Sequence, residues 1–300
     1  AIPLVQTHPE VIEIAAKLKG FANKTCDLLV GRTTHPIVIK VGGLTQLPRK
    51  RQLMGLAKDL DETIPYLWKA LDLFKTIKMP EFVRETEFVS LKQTGTYAFI
   101  GGDIVSSDGV HKSENEYRAM SNEYIVDFST SKFSKLSRES FAVGPLARFN
   151  NNYNLLHTKA KDTADALNLK PVAHNPFLHN LARLVECVHV MCESKDIIME
   201  LLDSDNSICF TPYEPAPCEG SGSVEAPRGI LHHCYQIGEK GKIIKADCVI
   251  PTSQNHANIH YDLRKLVQEL FEQGKEEKEI TKIAEMLVRA YDPCISCSVH

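Results

Sequence analysis

The 300-residue chain is 43% hydrophobic and 24% charged, with a formal net charge of −3. That composition is ordinary for a globular protein with one large core or two smaller ones, and the slight acidity gives no electrostatic reason to expect nucleic acid. No apolar run approaches the roughly 20 residues needed to span a bilayer, and the opening Ala1-Ile2-Pro3-Leu4-Val5 has neither the length nor the basic start of a signal peptide. Without an initiator Met, the sequence reads as a processed chain or a fragment. Its nine cysteines are odd in number and scattered, which points away from a secreted disulfide framework and toward a reducing, cytoplasmic compartment.

Over 8–29, Val11, Ile14, Ala15, Leu18, Phe21 and Ala22 repeat with a helical period that Gly31 ends. Ile37-Val38-Ile39 reads as a short strand before a turn at Gly42-Gly43, with no phosphate-loop pattern around it. A second helix is predicted over 51–78, with Leu53, Leu56, Ala57, Leu60, Ile64, Leu67, Leu71 and Phe74 facing the core and a kink at Pro65. An irregular β-region follows over about 82–128, with strand-like runs at 97–100, 103–105 and 124–126 between glycine-bearing turns. The stretch 143–150 reads as a loop, followed by helices over 152–167 and 176–202. His174, His179 and His189 lie in or near the latter and read as core or surface histidines.

The stretch 219–255 reads as a constrained glycine-rich loop, Gly220 to Gly229, leading into a strand over 230–237. A second strand over 242–250 pairs with it as a hairpin and ends at Pro251-Thr252-Ser253-Gln254-Asn255. Helices over 258–273 and 279–290 then deliver the tail, 291–300. There Cys294 and Cys297 stand three apart and His300 follows three later. On a helical turn that spacing puts the two Cβ atoms roughly 5–6 Å apart on one face, so both thiolates reach one soft metal at about 2.3 Å. A C-x-x-C pair alone also suits half of a structural zinc site or a redox dithiol. Because termini usually fray, a ligand-rich end closing in histidine predicts a tail folded inward.

Three separated phrases, Glu225-Ala226-Pro227-Arg228-Gly229, Pro251-Thr252-Ser253-Gln254-Asn255 and Asp292-Pro293-Cys294 through His300, together resemble the C-terminal part of the large subunit of nickel–iron hydrogenases. The nearest likeness is to the cytoplasmic kinds that serve soluble electron carriers, and it covers essentially the whole chain. It implies an α+β fold, predominantly helical, with a long-helix core and small irregular β-regions, as a single domain over 1–300. It also implies a nickel–iron centre with carbon monoxide and cyanide ligands. Cys294 would be a terminal thiolate on nickel and Cys297 a bridge to iron. Arg228, set by Pro227, would stand over the open position and be held by Asp292. Thr252, flanked by Pro251 and Ser253, would donate to a cyanide. His300 would bind a structural magnesium, with the backbone carbonyl of Cys248 contributing. The implied reaction is reversible heterolytic cleavage of dihydrogen, with electrons passing to a small subunit that carries the iron–sulfur clusters and on to electron-acceptor subunits. A maturation endopeptidase is the remaining implied partner.

The family's first cysteine pair lies in an R-x-C-G-x-x-C phrase that this sequence does not contain; Cys294 and Cys297 form its only C-x-x-C. Two further thiolates are therefore expected from an N-terminal portion of the subunit outside this sequence, and turnover only from the assembled complex. The alternative is a metal-free or zinc-binding structural or assembly form without turnover. Taken singly, Arg228 also suits a surface arginine after a proline turn, Thr252 and Ser253 helix caps, Asp292 a turn residue before Pro293, and His300 a loose end.

Overall fold

The computed structural model describes residues 6, 8–204 and 210–299. The chain divides into two compact units, Ala1–Ile77 with Cys187–Glu214, and Lys78–Glu186 with Pro215–His300.

The first unit is built on α1 (Pro9–Val30) and α2 (Lys50–Thr76), with a short ribbon of β1 (Ile39–Lys40) and β2 (Gly43–Leu44) between them. Of the stripe expected on α2, Leu53, Leu56, Leu60, Leu67 and Leu71 turn inward, whereas Ala57, Ile64 and Phe74 are only partly buried. Leu53 and Leu56 meet Ile198, with Phe21 and Leu202 packed against them. Lys24 of α1 reaches Asp59 of α2 at 2.5 Å. Pro65 lies inside α2 without ending it.

The second unit contains, in order, β3 (Glu87–Lys92), β4 (Asp103–Ser106), β5 (His111–Lys112), α3 (Tyr117–Ser121), β6 (Glu123–Tyr124), β7 (Phe133–Ser134), β8 (Phe141–Ala142), α4 (Pro145–Asn152) and α5 (Thr158–Ala166). The start of α6 (His179–Asp203) follows, then β9 (Cys218–Ala226), β10 (Gly229–Ile237), β11 (Ile243–Val249), α7 (Pro251–Glu272), α8 (Glu277–Tyr291) and the single turn α9 (Ile295–Ser298). β6 and β7 form a separate antiparallel ribbon; of the two larger sheets, one runs β5-β4-β3-β8, with β8 parallel to β3, and the other runs β11-β10-β9. Their inner faces share a core of Val89, Leu91, Ile104, Phe141, Ile230 and Val249. The architecture is the expected one, helices with small β-regions, and no helix among the described residues is long and apolar enough to cross a membrane.

The run 97–100 forms no strand beyond a bridge at Ile100, the strand expected over 124–126 is Glu123–Tyr124, and the helix expected over 152–167 starts only at Thr158. Three further differences bear on the site. The stretch expected to be a loop over 143–150 is largely α4, because Pro145 occupies the first helical turn, where a missing N–H costs nothing. Most of the expected loop over 219–229 is strand β9, paired residue for residue with β10 from Ala226↔Gly229 to Cys218↔Ile237. Its glycines and serines carry little strand propensity, so the pairing with β10 holds it. Helix α7 starts at Pro251 rather than 258, with Thr252, Ser253, Gln254 and Asn255 buried in its first turn. Thr252 and Ser253 are thus inside the helix, and neither caps it.

Candidate metal centre

The site is assembled from two chain reversals and one helix start, all within the second unit. The first reversal is the β9–β10 hairpin, whose register leaves only Pro227 and Arg228 as the turn. Gly229 follows at φ 137°, and a Cβ there would stand 2.2 Å from Val143 Cγ2, so only glycine fits. The second reversal is Asp292, which ends α8 in the left-handed conformation at φ 54°, ψ 50°. Asp is among the few side-chain-bearing residues that visit this region routinely.

The two reversals meet. Arg228 Nε donates to the Asp292 carbonyl oxygen at 2.5 Å, and Arg228 Nη2 lies 3.2 Å from Asp292 Oδ2. Turned by Asp292, the chain passes over the first turn of α7, where the Cys294 N–H donates to Thr252 Oγ1 at 3.2 Å. The Cys297 N–H donates to the Cys294 carbonyl at 3.1 Å, closing the turn that brings the Cys294 and Cys297 sulfurs to 2.6 Å. Both are free thiols, farther apart than the roughly 2.05 Å of a disulfide. Their contact splits their acidities. The hydrogen bond from Cys297, with the Ser296 hydroxyl, lowers Cys294 below the ordinary thiol value, and the same bond raises Cys297. Cys294 is therefore the first of the pair to become a thiolate, the form that binds metal.

The described residues do not enclose the sulfurs: Cys294 is half-buried and Cys297 exposed. The tail is folded back, as expected, but onto an open face rather than into the interior. Ser298 is its buried anchor, its hydroxyl donating to the Ile295 carbonyl, and Val299 bridges to Ser131. The remaining predicted residues divide. Pro227 forms the turn with Arg228, and Pro251 and Ser253 lie in the buried first turn of α7. Cys248 sits on β11, where its Sγ contacts His233 Nδ1 at 3.4 Å. His300 lies outside the described residues.

The donor set fits half of a bimetallic thiolate centre. Two soft donors converge on one point, a fixed cation stands beside them, and the adjacent Ser253 hydroxyl is buried with no partner among the described residues. Such an orphaned hydroxyl costs roughly 1–3 kcal/mol unless a polar group meets it. The described residues bring no group of three or more His, Cys, Asp or Glu together for an ion, so they do not close a four-ligand zinc shell.

Two buried networks behind these residues had no counterpart in the sequence reading. Asp262 accepts from Arg84 Nε at 2.5 Å and from the Tyr291 hydroxyl at 2.6 Å, fixing the residue just before Asp292. Arg148 of α4 binds Glu186 and Glu225 behind the hairpin turn. The available signal for Arg148 was its place in an apolar helical turn between Leu146 and Phe149, where a buried arginine requires carboxylates.

The fold is shared with an NAD+-reducing [NiFe]-hydrogenase in its H2-reduced state, at TM-score 0.83 and 22% identity over 100% of this chain and 71% of that one. A [NiFeSe]-hydrogenase of Dm. baculatum aligns at TM-score 0.64 and 18% identity, over 97% of this chain and 69% of that one. At sequence level, residues 95–300 match the family described as Nickel-dependent hydrogenase. The alpha chain of Sulfhydrogenase 1 from Pyrococcus furiosus is 33% identical over 301 residues, covering 100% of this chain and 70% of the relative. The beta chain of the NAD-reducing hydrogenase HoxS from Cupriavidus necator is 27% identical over 327 residues, covering 99% and 67%. The chain belongs to the nickel-dependent hydrogenase family, oxidoreductases that act on hydrogen.

Proposed function

We propose that this chain carries half of the nickel–iron active site in the large subunit of a hydrogenase and works in reversible heterolytic cleavage of dihydrogen. One observation carries the reading: three stretches far apart in sequence bring Arg228, Thr252, Asp292, Cys294 and Cys297 to one place. Cys294 and Cys297 would hold the nickel–iron centre as thiolate ligands. The remaining two thiolates come from an N-terminal portion of the large subunit, which also covers the open face on which Cys297 lies. The bound centre, with carbon monoxide and cyanide on iron, supplies the splitting of dihydrogen.

The chain's own residues set the surroundings. Arg228 cannot lose its charge at ordinary pH, so it presents a fixed positive field at the open position. Asp292 holds it by a carbonyl and a carboxylate at once, a charge-assisted pair that fixes direction as well as distance. Thr252 Oγ1 accepts from the Cys294 N–H, which leaves its own hydrogen to donate to a cyanide. Cys294 Sγ would be the first proton acceptor. His300 and the Cys248 carbonyl bind a structural magnesium. Electrons leave through a small subunit carrying iron–sulfur clusters. The cytoplasmic complex is completed by electron-acceptor subunits once an endopeptidase has trimmed the tail.

Metal analysis and infrared spectroscopy of the purified complex test this reading. Nickel and iron together with carbon monoxide and cyanide bands are expected. Zinc without nickel, with no dihydrogen-dependent dye reduction, replaces it with a structural or assembly role.

A further inference from the structure

The turn that carries Arg228 is unusual for a two-residue hairpin. Such turns favour types with positive φ at one or both central residues, because those match the twist of the strands. Proline is locked near −65°, and neither Pro227 nor Arg228 is among the residues with positive φ. The turn is therefore shaped from outside, and the structure shows what shapes it.

Arg148 is 2% exposed and uses its whole guanidinium. Nε and Nη2 donate to the two oxygens of Glu186 at 2.5 and 2.7 Å, and Nη1 donates to Glu225 Oε2 at 2.9 Å. Nη1 also donates to the Ala226 carbonyl at 2.9 Å, and Nη2 to the Pro227 carbonyl at 3.3 Å. The next carbonyl, that of Arg228 itself, accepts from Asn255 Nδ2 at 3.4 Å. Three successive carbonyls of the turn are thus held by two buried side chains. The carboxylates are fixed in their turn: the Tyr97 hydroxyl donates to Glu186 at 2.8 Å, and the Leu91 N–H to Glu225 Oε1 at 2.8 Å. Gly144, four residues before Arg148, closes the packing, since a Cβ there would stand 2.9 Å from the Arg228 carbonyl.

We propose that Arg148 is a positioning residue for the reaction: anchored by Glu186 and Glu225, it clamps the Ala226 and Pro227 carbonyls and so sets where the Arg228 guanidinium points. The inference rests on the reading of Arg228 as the fixed charge beside the metal centre. Lysine cannot substitute for Arg148. It has the charge but not the planar fork that grips two carboxylates and two carbonyls together.

The test uses the assembled complex, comparing Arg148→Lys, Arg228→Lys and the double variant. Nickel content, kcat and KM for dihydrogen in dye reduction, and amide hydrogen exchange over 224–231 are measured. Arg148→Lys is expected to keep its nickel and its KM and to lose on the order of 100-fold in kcat, the effect of a small misplacement of a reacting group. Exchange over 224–231 rises about tenfold while α7 keeps its protection. The double variant is no slower than Arg228→Lys alone, because a residue acting only through Arg228 has nothing left to position. Multiplying losses in the double variant overturn the proposal, as does exchange rising evenly across the second unit. Where Arg148→Lys does not accumulate, Glu225→Gln replaces it, weakening one anchor of the clamp; a local rise in exchange over 224–231 with a lower kcat supports the proposal, and neither change overturns it. Full activity in Arg228→Lys instead overturns the reading of Arg228, and exchange over 224–231 in Arg148→Lys then decides whether Arg148 holds the turn.

Discussion

The hairpin tip and the cysteine tail meet at one ion pair and are built in opposite ways. The tip has a two-residue turn whose three carbonyls are engaged by buried side chains, and a glycine that only close packing explains. The tail is a single helical turn on an open face, tied by one bond to Thr252, one buried serine and a bridge from Val299 to Ser131. On the proposed function, the difference follows from what each part presents. A guanidinium that must supply a directed field has no bond to its target and takes all its precision from the protein. A thiolate needs only to come within reach, because metal bonds complete its geometry and contribute folding energy themselves.

The sharpest way to break this comparison is to remove a sulfur. Cys294→Ser and Cys297→Ser are each expected to abolish nickel retention and dihydrogen-dependent dye reduction in the complex, while the hairpin keeps its hydrogen-exchange protection. Nickel retained at the wild-type level in either variant would show that the tail is not a ligand. Arg228→Ala is the converse. It is expected to leave nickel in place and to lower kcat by roughly 10²–10³-fold, the effect of removing one preorganised charge-stabilising group. Kinetics together with metal analysis separate the two outcomes.

The tail was readable from the sequence because its chemistry is local: a C-x-x-C needs only three-residue spacing to declare itself. The pairing of Arg228 with Asp292 spans 64 residues, and only the family resemblance connected them. Arg148 was missed for a physical reason. Its partners lie 38 and 77 residues away, and nothing in Val143-Gly144-Pro145-Leu146-Ala147-Arg148 distinguishes a loop from a helix begun on proline. The same habit hid the start of α7 at Pro251. The inward fold of the tail was legible, but its exposure was not, because burial depends on what packs over the sulfurs.

Acid should loosen both sides of the site. His232 of β10 is buried against Ser223, its Nδ1 2.7 Å from the hydroxyl, and burial lowers it to about 4. His179 packs on Tyr291 with ring centroids 4.7 Å apart, and burial lowers it to about 3. Both are neutral in the folded chain, whereas the unfolded chain binds their protons near pH 6.5. The stability they contribute is complete above that pH and is lost as pH falls toward 4 and below, by about 3 kcal/mol for His232 alone. Denaturant unfolding between pH 7 and pH 4 measures the slope. His232→Gln should flatten it, and an unchanged slope would mean that the ring is already charged when folded.

The smallest effect concerns the hinge between the two regions. Asp292 does two jobs, one with its backbone and one with its carboxylate, and two substitutions separate them. Asp292→Gly keeps the left-handed turn and the bond from Arg228 Nε to the carbonyl, and loses only the carboxylate contact at 3.2 Å. Because Asp292 and Arg228 are both about 40% exposed, at 48% and 36%, that ion pair contributes little to stability, between 0 and about 1 kcal/mol. Asp292→Ala also loses the carboxylate but keeps a Cβ in the left-handed region without the local polar bonding by which Asp tolerates it, whereas glycine is free of that penalty of about 1–2 kcal/mol. Thermal unfolding should therefore keep the glycine variant within about 1 kcal/mol of wild type and place the alanine variant lowest. Equal destabilisation by glycine and alanine would show that the carboxylate, and not the turn, joins the tail to the hairpin.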